Sequence, residues 1–210
     1  MSMLAAARGL LVVVTAALAA SGCKKTADPP ERGLAATATA PEPDRIEVLA
    51  RHRAVAGSED LATDPVVVHF DRFAVTKARF DPAHLEGGTA TLELDMTSIK
   101  TGSEERDRDL ESPDYLDASR FATATVNVAN VKQQAGSTYT ADATVAFRDV
   151  TKTYPVTFAV IAKTGTSVRI KGELTFSRLD FAVGIDPATD PSERIDTPLV
   201  IQWVLTLEAT

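Results

Sequence analysis

The chain predicts an all-β fold of antiparallel strands, and two features of its 210 residues carry that prediction. From about Ile46 onward, apolar residues recur at every second position in one short run after another, the period of a strand with one face in a core. Helical signals mark the polar stretch from Thr97 to Asp117, TSIKTGSEERDRDLESPDYLD. One apolar and one polar face per strand suits an antiparallel sheet half exposed to water. Such a sheet must cover its apolar face, by curling into a barrel or by packing on a second sheet. Alternation alone does not choose between them.

The N-terminal element comes first. Arg8 is the only charge before Gly9–Ala20, an apolar run of signal-peptide length. It is too short for the roughly 20 residues that a membrane span requires. Ser21-Gly22-Cys23 follows and resembles the lipobox at which bacterial lipoproteins are cleaved and acylated, with Ala20 where Leu is common. Ordinary secretion, with Ala17-Leu18-Ala19 as a small-x-small cleavage site, is the plainer alternative. Cys23 is the only cysteine in the chain and stands where a lipobox needs it. Residues 1–22 are therefore expected to be a lipoprotein signal peptide and Cys23 a lipid anchor. Residues 23–44, rich in Pro, Ala and Thr and without apolar periodicity, are expected to be a disordered tether. Lys24 after the cysteine resembles an outer-membrane sorting signal. The expected location is the periplasmic face of a bacterial envelope membrane, the outer membrane favoured.

Cleavage would remove Arg8 and take the formal net charge from −7 to −8. An acidic chain without a basic patch argues against nucleic acid and against attraction to anionic headgroups. An apolar content of 44% is enough for a core, so residues 45–210 are expected to form one folded domain.

Within that domain, Val66, Val68 and Phe70 share a face, and Leu92, Leu94 and Met96 follow in TLELDM. Thr101-x-x-Glu104 reads as a capping box, and Ser112-Pro113-Asp114 as a second helix start with proline at its first position. Arg106 to Asp109 alternate in sign, the pattern of a solvated face, with Arg106 expected to clamp Asp107 or Asp117. Tyr139, Ala141, Ala143, Val145 and Phe147 define the next apolar face, then Tyr154, Val156, Phe158 and Val160. Val168, Ile170, Leu174 and Phe176 come next, and Ile201, Trp203, Leu205 and Leu207 close the chain.

Ser98, Ile99, Thr101 and Gly102, then Arg106, Asp107 and Leu110, then Ser112, Asp114, Tyr115, Leu116 and Asp117 fall in the order of a known pattern. They closely resemble the YceI-like, or polyisoprenoid-binding, family. DATVAFRDVTKTYPVTF is similar to that family's glycine-bounded hairpin, with Ala141 and Asp149 at the glycine positions. Arg178-Leu179-Asp180-Phe181 resembles its Arg-x-Asp-Phe-Gly step, with Ala182 for glycine. The match runs from about Thr89 to Phe181. It implies an antiparallel eight-stranded lipocalin-like barrel, with the helical turns of Gly102–Asp117 beside one end. The implied role is non-enzymatic binding or carriage of an isoprenoid lipid, of quinone or polyprenyl type.

An eight-stranded barrel is either filled by its own side chains or holds one slim guest. Ala141 and Ala143 leave room between Tyr139 and Val145; equally, they would accommodate a large neighbour such as Trp203, Phe158 or Phe176. With the resemblance, the expected lining is Tyr139, Ala141, Ala143, Val145, Phe158, Leu174, Phe176, Trp203 and Leu205. Leu110, Tyr115 and Leu116 are expected at the mouth, as a lid or a plug. The rival is a filled barrel that binds another envelope protein. No catalytic group is expected, since nucleophile-elbow and phosphate-loop motifs are lacking. No metal is expected either, because His52, His69 and His84 lie far from any short zinc-ligand spacing.

Overall fold

The computed structural model of the protein describes residues 42–53 and 65–210. The expected signal peptide, Cys23 and the tether up to residue 41 lie outside these residues, and the first strand begins at Arg45. Ten strand segments form one antiparallel sheet: β1 (Arg45–His52), β2 (Val66–Phe70), β3 (Phe73–Arg79), β4 (Thr89–Asp95), β5 (Ile99–Lys100), β6 (Thr123–Ala135), β7 (Thr138–Phe147), β8 (Val150–Lys163), β9 (Ser167–Ser177) and β10 (Ile195–Glu208).

The ten segments make eight staves. Only Asp71 and Arg72 separate β2 from β3, and one 3-10 turn, Met96–Ser98, separates β4 from β5. The two broken staves pair on both sides of the break, His69 with Lys100 and Phe73 with Leu94. Between those pairs the Asp71 N–H donates to the Ser98 carbonyl (3.1 Å) and the Asp95 N–H to the Arg72 carbonyl (3.0 Å). The β2 half of its stave also pairs with β1, which pairs with β10; the sheet then runs through β9, β8, β7 and β6 back to β4. The sheet thus closes on itself as the eight-stranded barrel the sequence implied. The strand count rises to ten because two staves bend at a common corner.

The helical end departs from two sequence expectations. The helix α1 (Glu104–Glu111) is capped by Ser103, whose hydroxyl accepts the Arg106 N–H at 3.4 Å. Thr101 does not cap it, because its hydroxyl and N–H both donate to the Asp107 carboxylate (2.6 and 2.8 Å). Asp107 is therefore buried rather than solvated, and Thr101, with Lys100 at 3.7 Å, holds its carboxyl below the usual carboxylate range. Arg106 clamps neither aspartate; its guanidinium reaches only the Thr101 carbonyl. Ser112 ends α1 instead of starting a second helix, and residues 112–117 form hydrogen-bonded turns.

Left-handed backbone without glycine recurs at Asp117, Asn130 and two turns near the helical end. Arg148 (φ 51°) and Asp149 (φ 62°) form a two-residue hairpin loop between the paired Phe147 and Val150. Ala182 (φ 52°) ends the 3-10 turn Arg178–Phe181. An alanine there carries a Cβ penalty of about 1 kcal/mol that glycine avoids. Ala182→Gly is expected to raise stability by about 0.5–1 kcal/mol, read as a higher urea midpoint at unchanged m value. A destabilised variant would refute it.

Candidate functional site

The inward faces of the staves are apolar along most of their length, and they do not meet at the centre. A cavity of about 160 Å³ remains, its wall almost wholly carbon. It runs from Leu94, Leu174 and Ile201 to Val168 and Leu207, about 20 Å measured along β10. With so few polar partners it has no means of holding ordered water. The space is narrow, long and dry.

Of the residues the sequence placed on this wall, Ala143, Val145, Phe158, Leu174, Trp203 and Leu205 lie on it. Tyr139, Ala141 and Phe176 are in the hydrophobic core but off the wall. Tyr139 stacks on Phe158 (5.7 Å between ring centres), while Phe176 packs edge-on to Tyr154 and Phe181. The alternation of β7 assigned its residues to the correct face, but not to the correct level of the barrel.

The space exists because of a residue the sequence reading passed over. Gly172 on β9 faces Trp203 of β10 on one side and Phe158 of β8 on the other. A Cβ on Gly172 would stand 2.4 Å from the Trp203 ring and 2.9 Å from the Thr157 carbonyl. The indole therefore packs over bare backbone on the wall of the lumen. Interruption of the Val168–Phe176 alternation by a single glycine was the available signal.

The helical end is sealed. Arg178 is 1% exposed, and its guanidinium donates to the carbonyls of Val183, Ile185, Ile195 and Asp196 at 2.7–3.0 Å. Gly184 passes directly over it: a Cβ there would meet Arg178 at 2.6 Å and the Tyr115 ring at 3.1 Å. Phe121, Phe147, Phe176, Phe181 and Tyr154 fill the layer beneath with mutually tilted rings. Leu110, Tyr115 and Leu116 belong to this end and none lines the cavity. Leu116 packs on the core, and the Tyr115 carbonyl accepts from Arg148. At the opposite end, the loop between β3 and β4 folds inward, burying Leu85, and the Gly87 N–H ties it to the Val131 carbonyl (3.0 Å).

Beside the aromatic layer lies one polar cluster. Asp180 accepts from Lys152 (2.5 Å) and from the Tyr154 hydroxyl (2.8 Å). Lys152 and then Tyr154 hold the Asp180 carboxyl below the usual carboxylate range. Burial, followed by the bond to Asp180, pushes the Tyr154 phenol well up. None of the three lines the cavity, so the cluster fastens the 3-10 turn to β8 and presents no group to a guest. Outside the barrel, His69 is half exposed, beside Glu47.

A carboxyl with a lowered folded-state pKa stabilises the fold above its unfolded value of about 3.9, and that contribution fades as pH falls through the folded value. Asp180→Asn is therefore expected to lose stability less steeply than wild type below about pH 4, in urea midpoints compared at pH 7, 4 and 3. Identical slopes would show that the Asp180 carboxylate contributes nothing. Gly172→Ala is expected to push the indole inward, destabilise the fold by about 1–3 kcal/mol and shift the emission of the single tryptophan. Unchanged emission would refute that account of Trp203.

The YceI-like domain model matches residues 46–205. A UPF0312 protein of Ectopseudomonas mendocina is 28% identical over 126 residues, 57% of this chain and 66% of the relative. A UPF0312 protein of Vibrio cholerae is 35% identical over 46 residues, 22% of this chain and 24% of its own. The chain thus spans less than two thirds of the length of these curated relatives. Among solved structures, BcnA of Burkholderia cenocepacia superposes with a TM-score of 0.66 at 21% identity, covering 78% of this chain and 96% of that one. A polyisoprenoid binding domain from Saccharophagus degradans, implicated in plant cell wall breakdown, does so with 0.58 at 16%, covering 80% and 94%. At these identities the superpositions speak for the fold. The domain match, covering most of the barrel, places this chain in the YceI-like family.

Proposed function

We propose that the protein binds an isoprenoid lipid, of quinone or polyprenyl type, inside the barrel and does no chemistry on it. The observation that carries this reading is the long, dry, carbon-walled cavity running from Leu94 and Leu174 to Leu207. Burying a prenyl chain there at about 25 cal/mol per Å² makes the hydrophobic term dominate affinity. A wall that is almost wholly carbon and carries no titratable side chain suits retention of a hydrocarbon and offers no acid or base for turnover. The polyisoprenoid binding of the Saccharophagus degradans domain supports the same ligand class. In this reading Cys23 is acylated and residues 23–44 tether the barrel to the periplasmic face of a bacterial envelope membrane, the outer one favoured. The protein then acts as a membrane-tethered carrier or reservoir.

The full-length protein, recovered from its host's membranes and extracted with organic solvent, is expected to release an isoprenoid at near-stoichiometric yield. The same mass spectra should show the N-terminal peptide beginning at an acylated Cys23. Added quinone should quench Trp203 in the stripped protein. Ala143→Phe, which fills the middle of the cavity, should weaken that quenching about tenfold or more. A lipid-free extract with unquenched Trp203 would rule the reading out.

A further inference from the structure

The proposed ligand needs a way in, and both ends of the barrel are covered, by the Arg178 layer and by the Leu85 loop. Among the described residues the side is not covered. β3 has a ladder neighbour, β4, along one edge only. Its other edge faces the end of β10, where the Thr210 N–H and hydroxyl donate to the Ala78 carbonyl (2.9 and 2.8 Å).

The reason lies in the residues before β1. Glu47 pairs with His69, so a backward extension of β1 would bring Pro43 opposite Phe73. Proline has no N–H to give to a ladder. Asp44 is also turned away from β3. Its carboxylate accepts the Thr206 N–H (2.8 Å) and Arg169 (2.8 Å), and Arg169 also holds the Glu42 carbonyl. The chain therefore peels off toward β9 and leaves a seam.

A groove of about 280 Å³ opens along that seam, bounded by Phe73–Ala78, Asp44 and the end of β10. Val75 and Leu205 belong both to the groove and to the wall of the inner cavity. A groove of mixed polar and apolar lining thus meets an apolar lumen across two side chains, the geometry a lipid with one polar end requires. The groove offers the Thr76 hydroxyl and the ammonium of Lys77. Glu208 in the same groove offsets the charge of Lys77, and Arg169 is already committed to Asp44. The groove therefore carries no net positive charge for a phosphate, whereas a carbonyl or hydroxyl needs only one or two hydrogen bonds.

We propose that the seam between β3 and β10 is the lateral entrance to the barrel and seats a neutral head group, so that prenyl quinones and prenols are taken in preference to prenyl phosphates. The proposal rests on the reading that the lumen holds the tail.

The test uses the full chain and a prenol, a prenyl phosphate and a prenyl quinone of equal tail length, with a headless isoprenoid hydrocarbon as reference. Affinities are read from quenching of Trp203 by the quinone and from its displacement by the others. Prenol and quinone should bind alike, and the phosphate about tenfold or more weaker. Glu208→Lys and, separately, Thr76→Lys should narrow that gap about tenfold. An azidoquinone should label β3 or residues 206–210. Equal binding of prenol and phosphate, a gap unmoved by both lysine variants, or labelling of residues 80–88 would overturn the head-group site while leaving the tail reading standing. If the headless hydrocarbon also fails to bind, the tail reading falls, and this proposal with it.

Discussion

The architecture depends on one corner. An antiparallel sheet of this width becomes a barrel only when one stave presents a ladder on both edges to strands that lie far apart along the sheet. The β2/β3 stave does so because Asp71 and Arg72 turn it without breaking its pairing to the β4/β5 stave. Ser98, 1% exposed, holds the turn from inside: its hydroxyl donates to the Asp95 carbonyl (2.7 Å) and accepts the Arg72 N–H (3.0 Å). The Arg72 side chain reaches Asp95 and Thr97 on the outside. The bend brings β2 against β1, while the seam beside β3 opens because Pro43 and Asp44 do not carry β1 on along it.

The interior follows a division of labour between backbone and side chains. Side chains fill the helical end, where the aromatic rings and the Arg178 fork leave no continuous space. In the middle, bare backbone at Gly172 lets an indole lie against the sheet and the small Ala143 leaves room beside the lumen. Polar chemistry is kept off the cavity wall: Asp180 with Lys152 and Tyr154, and Asp107 with Thr101, each bind structure to structure. Arg178 acts likewise, donating to the loop carbonyls of Val183 and Ile185 and to those of Ile195 and Asp196 at the start of β10.

The sequence by itself determined the faces of β2, β4 and β7 to β10, because alternation with period two leaves no freedom once one side must be dry. It also carried the family pattern from Ser98 to Asp117, and the tolerance of Asp149 for a left-handed turn. Choosing a closed barrel over two stacked sheets needed that pattern, since both architectures bury the same face. What local reasoning misjudged were choices between equivalent partners: Ser103 over Thr101 as cap, and Thr101 over Arg106 for Asp107. Such choices turn on distances across the fold, which spacing along the chain does not encode.

Only the tertiary structure decided which inward residues border space and which fill it. Tyr139 and Trp203 are both aromatic and both face inward, yet one is packed in the core and the other lines the cavity. The difference lies in what stands beside each on the neighbouring strand: Phe158 stacks on the first, and Gly172 underlies the second. Cross-strand register sets those neighbours: the Arg148–Asp149 turn fixes the first pair locally, whereas the second joins β9 and β10 across a long connection that only the fold aligns.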